Sequence, residues 1–336
     1  MKDKLITLLK IIISLGLMAF LFYRFLSNPE DREVLLTSLT AANYGYLLLA
    51  QVLYLAAVLT NAVKWQILLR AQGIRVPFSA IVNYTFVGFF FNNFLPANVG
   101  GDVARGFGLA RYTERAAEAA VSVVVDRIIG LLAFMFTAVV ALLAAIFILN
   151  DQQLGQLDSI QVWAYGGLLL IALAFAVLLS RRLRQLLGRI FQIKVFAPFS
   201  PLYQRLSAAL DAYRHAYSAL LIAFTIGVVT VLLTGLVDIA IVAGLNRSIA
   251  PIYIFLMNPI IAFALIAPIS IGGLGTMSAF YVYFYGLVNV AQVLAFALSL
   301  LKQVVIYVGS LPGGVLWLQR RGQASKPKSE EVKVVP

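Results

Sequence analysis

The sequence predicts an all-α, polytopic integral membrane protein with about six full spans plus two re-entrant broken hairpins, arranged as an inverted repeat. Three observations predict this architecture. The chain is 62% hydrophobic and only 12% charged, whereas soluble domains are about 45–50% apolar and about 25% charged. Its basic residues gather in some connections between apolar runs and avoid others. Two further stretches share a Pro-x-x-x-Gly-Gly pattern that breaks helices.

Composition excludes several classes of function. The chain has no cysteine and a single histidine, His215, which excludes disulfides, thiolate metal sites and a Ser-His-Asp triad. No Gly-x-x-x-x-Gly-Lys-Ser/Thr loop is present, so no ATP hydrolysis is encoded. The net charge of +12 does not indicate nucleic acid, because the basic residues lie where lipid headgroups would be. We expect no metal, no cofactor and no enzymatic activity.

Six apolar runs are long enough to cross a bilayer, which takes about 20 residues. The first is predicted to be a retained span and not a cleaved signal peptide, because it carries Arg24 and no small-x-small cleavage site follows it. The six predicted spans are 5–26, 44–69, 121–149, 162–180, 217–245 and 290–318.

The positions of Lys and Arg predict the orientation, since these residues mark cytoplasmic connections. Basic residues concentrate in the N-terminus, 70–75, 105–115, 181–214 and 320–333. Few or none lie in 27–43, 150–161 and 245–251. We therefore expect both termini in the cytoplasm.

Two stretches cannot be simple spans under this orientation. Residues 79–111 must return to the inside because both flanks are basic, and 251–289 must return to the outside. Proline and paired glycines interrupt a helix in the middle of each, and irregular backbone at membrane depth requires a protein or aqueous environment. We predict two re-entrant hairpins. Their helix-breaking residues are Pro96, Gly100 and Gly101 in the first and Pro268, Gly272 and Gly273 in the second.

The two hairpins indicate an internal repeat. The offset of 172 residues between Pro96 and Pro268 also places Arg75 on Arg247. A single transmembrane domain, 1–320, would then contain repeat one at about 1–150 and repeat two at about 160–320, in opposite orientations, as in transporters. The alternative is a chance match, because Pro and Gly are common in membrane helices.

Two further segments have distinct compositions. Residues 181–215 are basic with leucines at helical spacing, which predicts an amphipathic helix on the cytoplasmic membrane surface. Residues 321–336 are polar and charged, which predicts a disordered cytoplasmic tail.

The first hairpin is the richest candidate site. Asn92, Asn93 and Asn98 lie near Asp102 and Arg105. A helix beginning after the glycine pair would direct its N-terminal amides toward an anion, and Arg105 would lie on the same side as Asp102. A guanidinium group binds phosphate oxygens in a bidentate way. The alternative is that Asp102 and Arg105 form only a neutralising pair.

Other ionisable residues lie inside predicted spans. Asp126 and Arg127 are costly there and usually face a cavity or a partner, although Arg127 could instead reach the headgroups. Lys302 requires an anion: Asp238, Asp126 or a substrate. The polarity of Lys64 is attributed to hydrogen bonding between helices. The candidate substrate-binding residues are Asn92, Asn93, Pro96, Asn98, Gly100, Gly101, Asp102, Arg105, Asp126, Arg127, Asp238, Pro268, Ser270, Gly272, Gly273, Gly275 and Lys302.

The sequences at 95–105, 126–130 and 268–275 resemble one family over roughly residues 5–320. This family is the flippase-like transmembrane region of lysylphosphatidylglycerol synthases, the multiple peptide resistance factor family. The resemblance implies translocation of an aminoacylated phospholipid across a bacterial-type cytoplasmic (inner) membrane. Full-length members add a cytoplasmic aminoacyl-transferase domain. The sequence stops about fifteen residues past its last predicted span, so the resemblance implies translocation and not aminoacylation. The positions that match the motifs are Pro96, Gly100, Gly101, Asp102, Arg105, Asp126, Arg127, Pro268, Gly272, Gly273 and Gly275.

The expected function is therefore that of a lipid flippase or scramblase for an anionic or aminoacylated phospholipid, or another phosphate-headed lipid. One alternative is a membrane enzyme acting on lipid-linked sugars, with Glu30 and Asp31 binding a metal. Another is a non-transporting lipid-binding scaffold that uses the basic segment 181–215. The expected partners are membrane phospholipid and either a second copy of the chain or a separate lipid-modifying enzyme.

Overall fold

The computed structural model describes residues 2–94, 100–148, 211–265 and 269–324, with single positions at 182, 204 and 208. Within these ranges the chain forms ten helices and no strand, which confirms the all-α prediction. The predicted span 162–180 and most of the predicted amphipathic segment 181–215 lie outside the described residues. The helices are α1 (Lys2–Ser27), α2 (Pro29–Thr40), α3 (Tyr44–Ala71), α4 (Phe78–Phe94), α5 (Gly100–Thr113), α6 (Ala116–Ile148), α7 (Tyr217–Gly244), α8 (Pro251–Ala264), α9 (Thr276–Gly286) and α10 (Gln292–Ala324).

Five of the described helices are long and apolar enough to cross a membrane, namely α1, α3, α6, α7 and α10. They correspond to five of the six predicted spans. Large apolar side chains such as Leu48, Leu221 and Val308 are exposed on them, as lipid contact requires. The chain is therefore a multi-pass α-helical membrane protein. The last helix continues to Ala324, so the first four residues of the predicted disordered tail are helical.

The predicted hairpins each contain a pair of short helices in contact, α4 with α5 and α8 with α9. These helices have 17, 14, 14 and 11 residues. At 1.5 Å per residue each is shorter than the hydrocarbon core of about 30 Å. Such lengths are those expected of re-entrant hairpins. Residues 95–99 of the first break and 266–268 of the second, with Pro96, Asn98 and Pro268, fall outside the described residues.

The two glycine pairs differ in conformation. Gly272 and Gly273 have φ values of +56° and +75°, and they form the predicted turn. Gly100 and Gly101 instead lie in the first turn of α5, so the prediction of a non-helical turn at that pair is wrong. Gly101 is needed for another reason: a Cβ there would lie 1.9 Å from the carbonyl oxygen of Gly88 on α4.

The two hairpins also meet each other. A Cβ on Gly272 would lie 2.1 Å from the carbonyl oxygen of Asn93 at the end of α4. No side chain fits in that space. The turn before α9 therefore packs directly on the end of α4.

The helix contacts between the two halves of the chain occur in equivalent pairs. The helix α3 packs on α7, α4 packs on α10, and α6 packs on α8. If α3 to α6 correspond to α7 to α10, each contact between halves has a counterpart. The helices α3 and α7 both have 28 residues and start 173 residues apart, whereas α6 and α10 both have 33 residues and start 176 apart. This is the pattern that the predicted repeat requires, with short insertions in place of a constant offset.

Segments that the charge distribution assigns to one side of the membrane lie together. Asn43 N donates to Gly244 O at 2.7 Å, and Asn246 Nδ2 donates to Ala41 O at 2.8 Å. These residues belong to connections predicted to be outside. At the other end of the bundle, Tyr213 OH donates to Leu68 O at 3.1 Å, near connections predicted to be inside. Which end is cytoplasmic stays a prediction.

Candidate functional site

A cavity of about 440 Å³ lies among α3, α4, α5, α6, α7 and α8. Much of its wall is apolar. One side carries ionisable groups from α3, α5 and α6, on which the chemistry of the site depends. The apolar lining includes Val58, Phe89, Leu131, Phe134, Val231 and Leu265.

Five charged side chains of the wall form a chain of alternating sign. Lys64 Nζ lies 3.1 Å from Asp126 Oδ1, and Asp126 Oδ2 accepts from Arg105 NH2 at 2.7 Å. The same Arg105 nitrogen lies 3.0 Å from Asp102 Oδ1, and Arg127 Nε donates to Asp102 Oδ2. Four of the five residues are between 3% and 9% exposed, whereas the side chain of Arg127 is 42% exposed. The chain therefore runs from a buried lysine to a half-exposed arginine, and we call it the charge chain.

The start of α5 positions two members of the charge chain. Asn92 Oδ1 accepts a hydrogen bond from Gly101 N at 2.9 Å, which satisfies one of the unpaired amides at the helix N-terminus. Asp102 follows in the first turn, where a carboxylate is favoured by the helix dipole. Arg105 is one turn further on, so the prediction that it lies on the same side as Asp102 is confirmed.

Packing fixes the guanidinium group of Arg105. Its Cζ lies 4.9 Å from the centre of the Trp65 ring, in a cation–π contact. Trp65 is itself fully buried, and its Nε1 donates to Ser122 Oγ at 3.1 Å. The arginine is therefore held by an aromatic ring as well as by two carboxylates.

The described lining has one more basic than acidic group. Lys64, Arg105 and Arg127 face two carboxylates, Asp102 and Asp126. Buried charges are tolerated only when they are paired. The buried Lys64 and Arg105 are both paired with Asp126, so we assign the excess positive charge to the half-exposed end of the charge chain, at Arg127. The cavity therefore combines an apolar wall with a cationic side.

A second polar cluster lies beside the cavity, in the second half of the chain. Asp238 is fully buried, and its carboxylate oxygens each lie 2.8 Å from Lys302 Nζ. Asn258 Nδ2 and Tyr281 OH also donate to it, at 2.8 and 3.0 Å. Of the three partners considered for Lys302, the structure places Asp238 in contact. Thr234, which lines the cavity, donates to Asn258 Oδ1 at 3.3 Å and so connects the two polar regions.

The cavity contains some of the predicted site residues and not others. Asn92, Asp102, Arg105, Asp126 and Arg127 line it. Among the described residues, the remaining predicted ones lie outside its lining, and their assignment to a translocation path stays a prediction. These are Asn93, Gly100, Gly101, Asp238, Ser270, Gly272, Gly273, Gly275 and Lys302.

The turn before α9 has a packing role in the structure. Ile271 N donates to Ser14 Oγ of α1 at 3.0 Å. A Cβ on Gly275, whose φ is +75°, would lie 2.7 Å from the carbonyl oxygen of Ser14. Gly275 therefore allows α1 to approach closely.

Sequence reasoning missed Lys64 as a site residue. It lies inside a predicted span, near the end of that span, and is 5% exposed. The cost of an ionisable group in a span was the signal that could have identified it. Asn61 and Thr230 also line the cavity and carried no comparable signal.

The acidic segment near the N-terminus has an ordinary structural role. Glu30 and Asp31 lie in the first turn of α2, and Asn28 Oδ1 accepts from Glu30 N at 3.0 Å. Asparagine caps and acidic first turns stabilise helix starts. Among the residues that the structure describes, no group of three His, Asp or Glu side chains is placed to hold a metal ion.

Comparison with known proteins agrees with the predicted resemblance. Residues 7–313 match the family described as the lysylphosphatidylglycerol synthase TM region. The chain is also 25% identical to the UPF0104 membrane protein PH1989 of Pyrococcus horikoshii over 303 residues, which are 83% of this chain and 88% of that protein. No solved structure matches it. Because the family match extends over nearly the whole chain, the protein belongs to the lysylphosphatidylglycerol synthase TM region family.

Proposed function

We propose that the protein is a flippase or scramblase that moves a phosphate-headed phospholipid between the two leaflets of a cytoplasmic membrane. The observation that supports this function best is the cavity, in which apolar walls adjoin a buried charge chain that ends at the half-exposed Arg127. Its volume falls within the range of about 300–1,000 Å³ that is typical of small-molecule sites.

The charge chain can compensate for the desolvation of the lipid headgroup, which is the main energetic cost of lipid translocation. Moving an ionised headgroup into hydrocarbon costs tens of kcal/mol if no protein group compensates it. Arginine can bind a phosphate group through two parallel hydrogen bonds, and Arg127 is one of the residues that line the cavity. The apolar wall formed by residues such as Phe89 and Phe134 suits the glycerol and acyl portion of a lipid.

Arg127 is the residue with which to test this proposal. Its partner Asp102 also contacts Arg105, so loss of the Arg127 side chain does not leave that carboxylate without a cation. A matched control is Arg115, whose side chain is 43% exposed and pairs with Glu118 away from the cavity.

The experiment measures the movement of a fluorescent phospholipid in reconstituted vesicles. Dithionite bleaches only the outer leaflet, so a translocating protein lets bleaching go past half of the signal. We expect Arg127→Gln to slow this movement about tenfold, as loss of one charged hydrogen bond predicts, and Arg115→Gln to leave it unchanged. Bleaching that stops at the level of protein-free vesicles for the wild-type chain would contradict the proposed function.

A further inference from the structure

If the protein has the proposed function, the charge chain indicates which class of lipid headgroup it carries. We infer that the cavity selects an anionic phosphate headgroup, such as phosphatidylglycerol, over one that carries added ammonium groups, such as lysyl-phosphatidylglycerol. The reasons are the net charge of the wall and the pairing of its two carboxylates.

Both carboxylates of the wall are already paired on both oxygens. Asp126 contacts Lys64 through Oδ1 at 3.1 Å and Arg105 through Oδ2 at 2.7 Å. Asp102 contacts Arg105 through Oδ1 at 3.0 Å and Arg127 through Oδ2. An incoming ammonium group needs an acceptor of this kind, since it has three donors and no acceptor. It would therefore compete with the protein's own cations for these oxygens.

The remaining charge of the wall acts in the same direction. The described lining carries one more cation than anion, in surroundings where electrostatic interactions are stronger than in water. A phosphatidylglycerol headgroup carries one negative charge and would neutralise this excess. A lysyl-phosphatidylglycerol headgroup carries one phosphate and two ammonium groups, so it would add a second positive charge.

Arg127, at the half-exposed end of the charge chain, is the residue at which we expect the headgroup to be selected. The side chain of Arg127 is 42% exposed, whereas those of Lys64 and Arg105 are 6% exposed. Arg127 is therefore the most exposed cation of the charge chain, and we expect a headgroup phosphate to bind there. A neutral side chain in place of Arg127 would remove the excess positive charge of the lining. A carboxylate there would give the lining an excess negative charge.

The test compares three lipids with the same labelled acyl chain. They are phosphatidylglycerol, phosphatidylethanolamine and lysyl-phosphatidylglycerol, with net charges of −1, 0 and +1. In proteoliposomes we expect phosphatidylglycerol to move at least about tenfold faster than the lysyl lipid, since one charge-assisted contact corresponds to about tenfold. We expect Arg127→Gln to bring this ratio close to one, Arg127→Glu to reverse it, and Arg115→Gln to preserve it.

A second measurement separates this inference from the proposed function. Native mass spectrometry of the purified chain in detergent, with equimolar lipids added, reports which lipid is retained without requiring transport. Preferential retention of phosphatidylglycerol that disappears in Arg127→Gln supports the inference even if no lipid moves. Equal retention, preference for the lysyl lipid, or a preference unchanged in Arg127→Gln would overturn it, while transport of any of the lipids would leave the proposed function standing.

Discussion

At the scale of single residues, Asp126 connects three helices of the cavity wall. Its carboxylate on α6 binds Lys64 of α3 and Arg105 of α5. Desolvation of these charges is expensive, so their net contribution to stability is small when all are present. Removing one partner has a much larger effect, because it leaves buried cations without compensation.

The variant Asp126→Asn should therefore be strongly destabilised. We expect the free energy of unfolding to fall by about 3 kcal/mol, the lower end of the range for breaking a buried ion pair. Unfolding in mixed micelles at increasing denaturant measures it. The exposed pair of Arg115 and Glu118 supplies the control, since Glu118→Gln should cost less than about 1 kcal/mol. Equal effects of the two substitutions would show that the charge chain does not stabilise the fold.

Some of these charged residues could be predicted from the sequence, whereas their partners could not. Charges inside apolar runs stand out, and for that reason Asp126, Asp238 and Lys302 could be selected from the sequence. Their partners depend on which helices pack together, and no local pattern predicts that α3 lies against α6. Lys64 was accordingly attributed to hydrogen bonding between helices, although it lines the cavity.

At the scale of secondary-structure elements, the first hairpin depends on close contact between α4 and α5. Gly101 allows the two backbones to approach, and its amide donates to Asn92. The sequence predicted a hairpin here because its centre breaks a helix and both flanks are basic. It did not predict that the glycine pair would be helical, because glycine favours a turn and also permits close helix packing, and only tertiary contact distinguishes the two uses.

Two glycines of α5 provide a matched test of this contact. In Gly101→Ala the new Cβ would lie 1.9 Å from Gly88 O, so α5 must move away from α4. We expect a loss of about 1–3 kcal/mol of stability, as for other overpacked sites, together with slower lipid movement because Asp102 and Arg105 shift. In Gly106→Ala the Cβ would lie 3.4 Å from a Val123 methyl, and alanine is the better helix former.

Thermal unfolding in detergent and the dithionite assay measure both effects. Gly106→Ala should be as stable and as active as the wild-type chain. If Gly101→Ala behaved in the same way, the close contact between α4 and α5 would not be needed for the site.

At the scale of the whole molecule, the described residues include a buried ion pair between corresponding helices in each half of the predicted repeat. Lys64 and Asp126 join α3 to α6, and Asp238 and Lys302 join α7 to α10. The shift of 176 residues that superposes the starts of α6 and α10 places Asp126 on Lys302, and the shift of 173 for α3 and α7 places Lys64 next to Asp238. The charges are exchanged between the halves, so a comparison of residue types alone would not have matched the two pairs.

The two ends of the bundle were predictable because each connection has a clear excess or shortage of basic residues. The structure brings the connections of each predicted side together, for example Asn43 with Gly244. Contacts within the protein do not distinguish the inner from the outer face of the membrane, since that distinction depends on the insertion of the chain.

Cysteine labelling provides a direct test of the predicted orientation, because the chain has no native cysteine. Ser79 and Ser248 are both exposed and lie near the starts of α4 and α8. In intact cells we expect a membrane-impermeant maleimide to label Ser248→Cys, and to label Ser79→Cys only after the membrane is permeabilised, because the connection before Ser79 carries the basic residues. Serine-to-cysteine changes at exposed positions should leave folding intact, which lipid movement in vesicles can verify. Labelling of Ser79→Cys but not Ser248→Cys in intact cells would show that the orientation is opposite to the predicted one. Labelling of both would show that the two connections lie on the same side of the membrane.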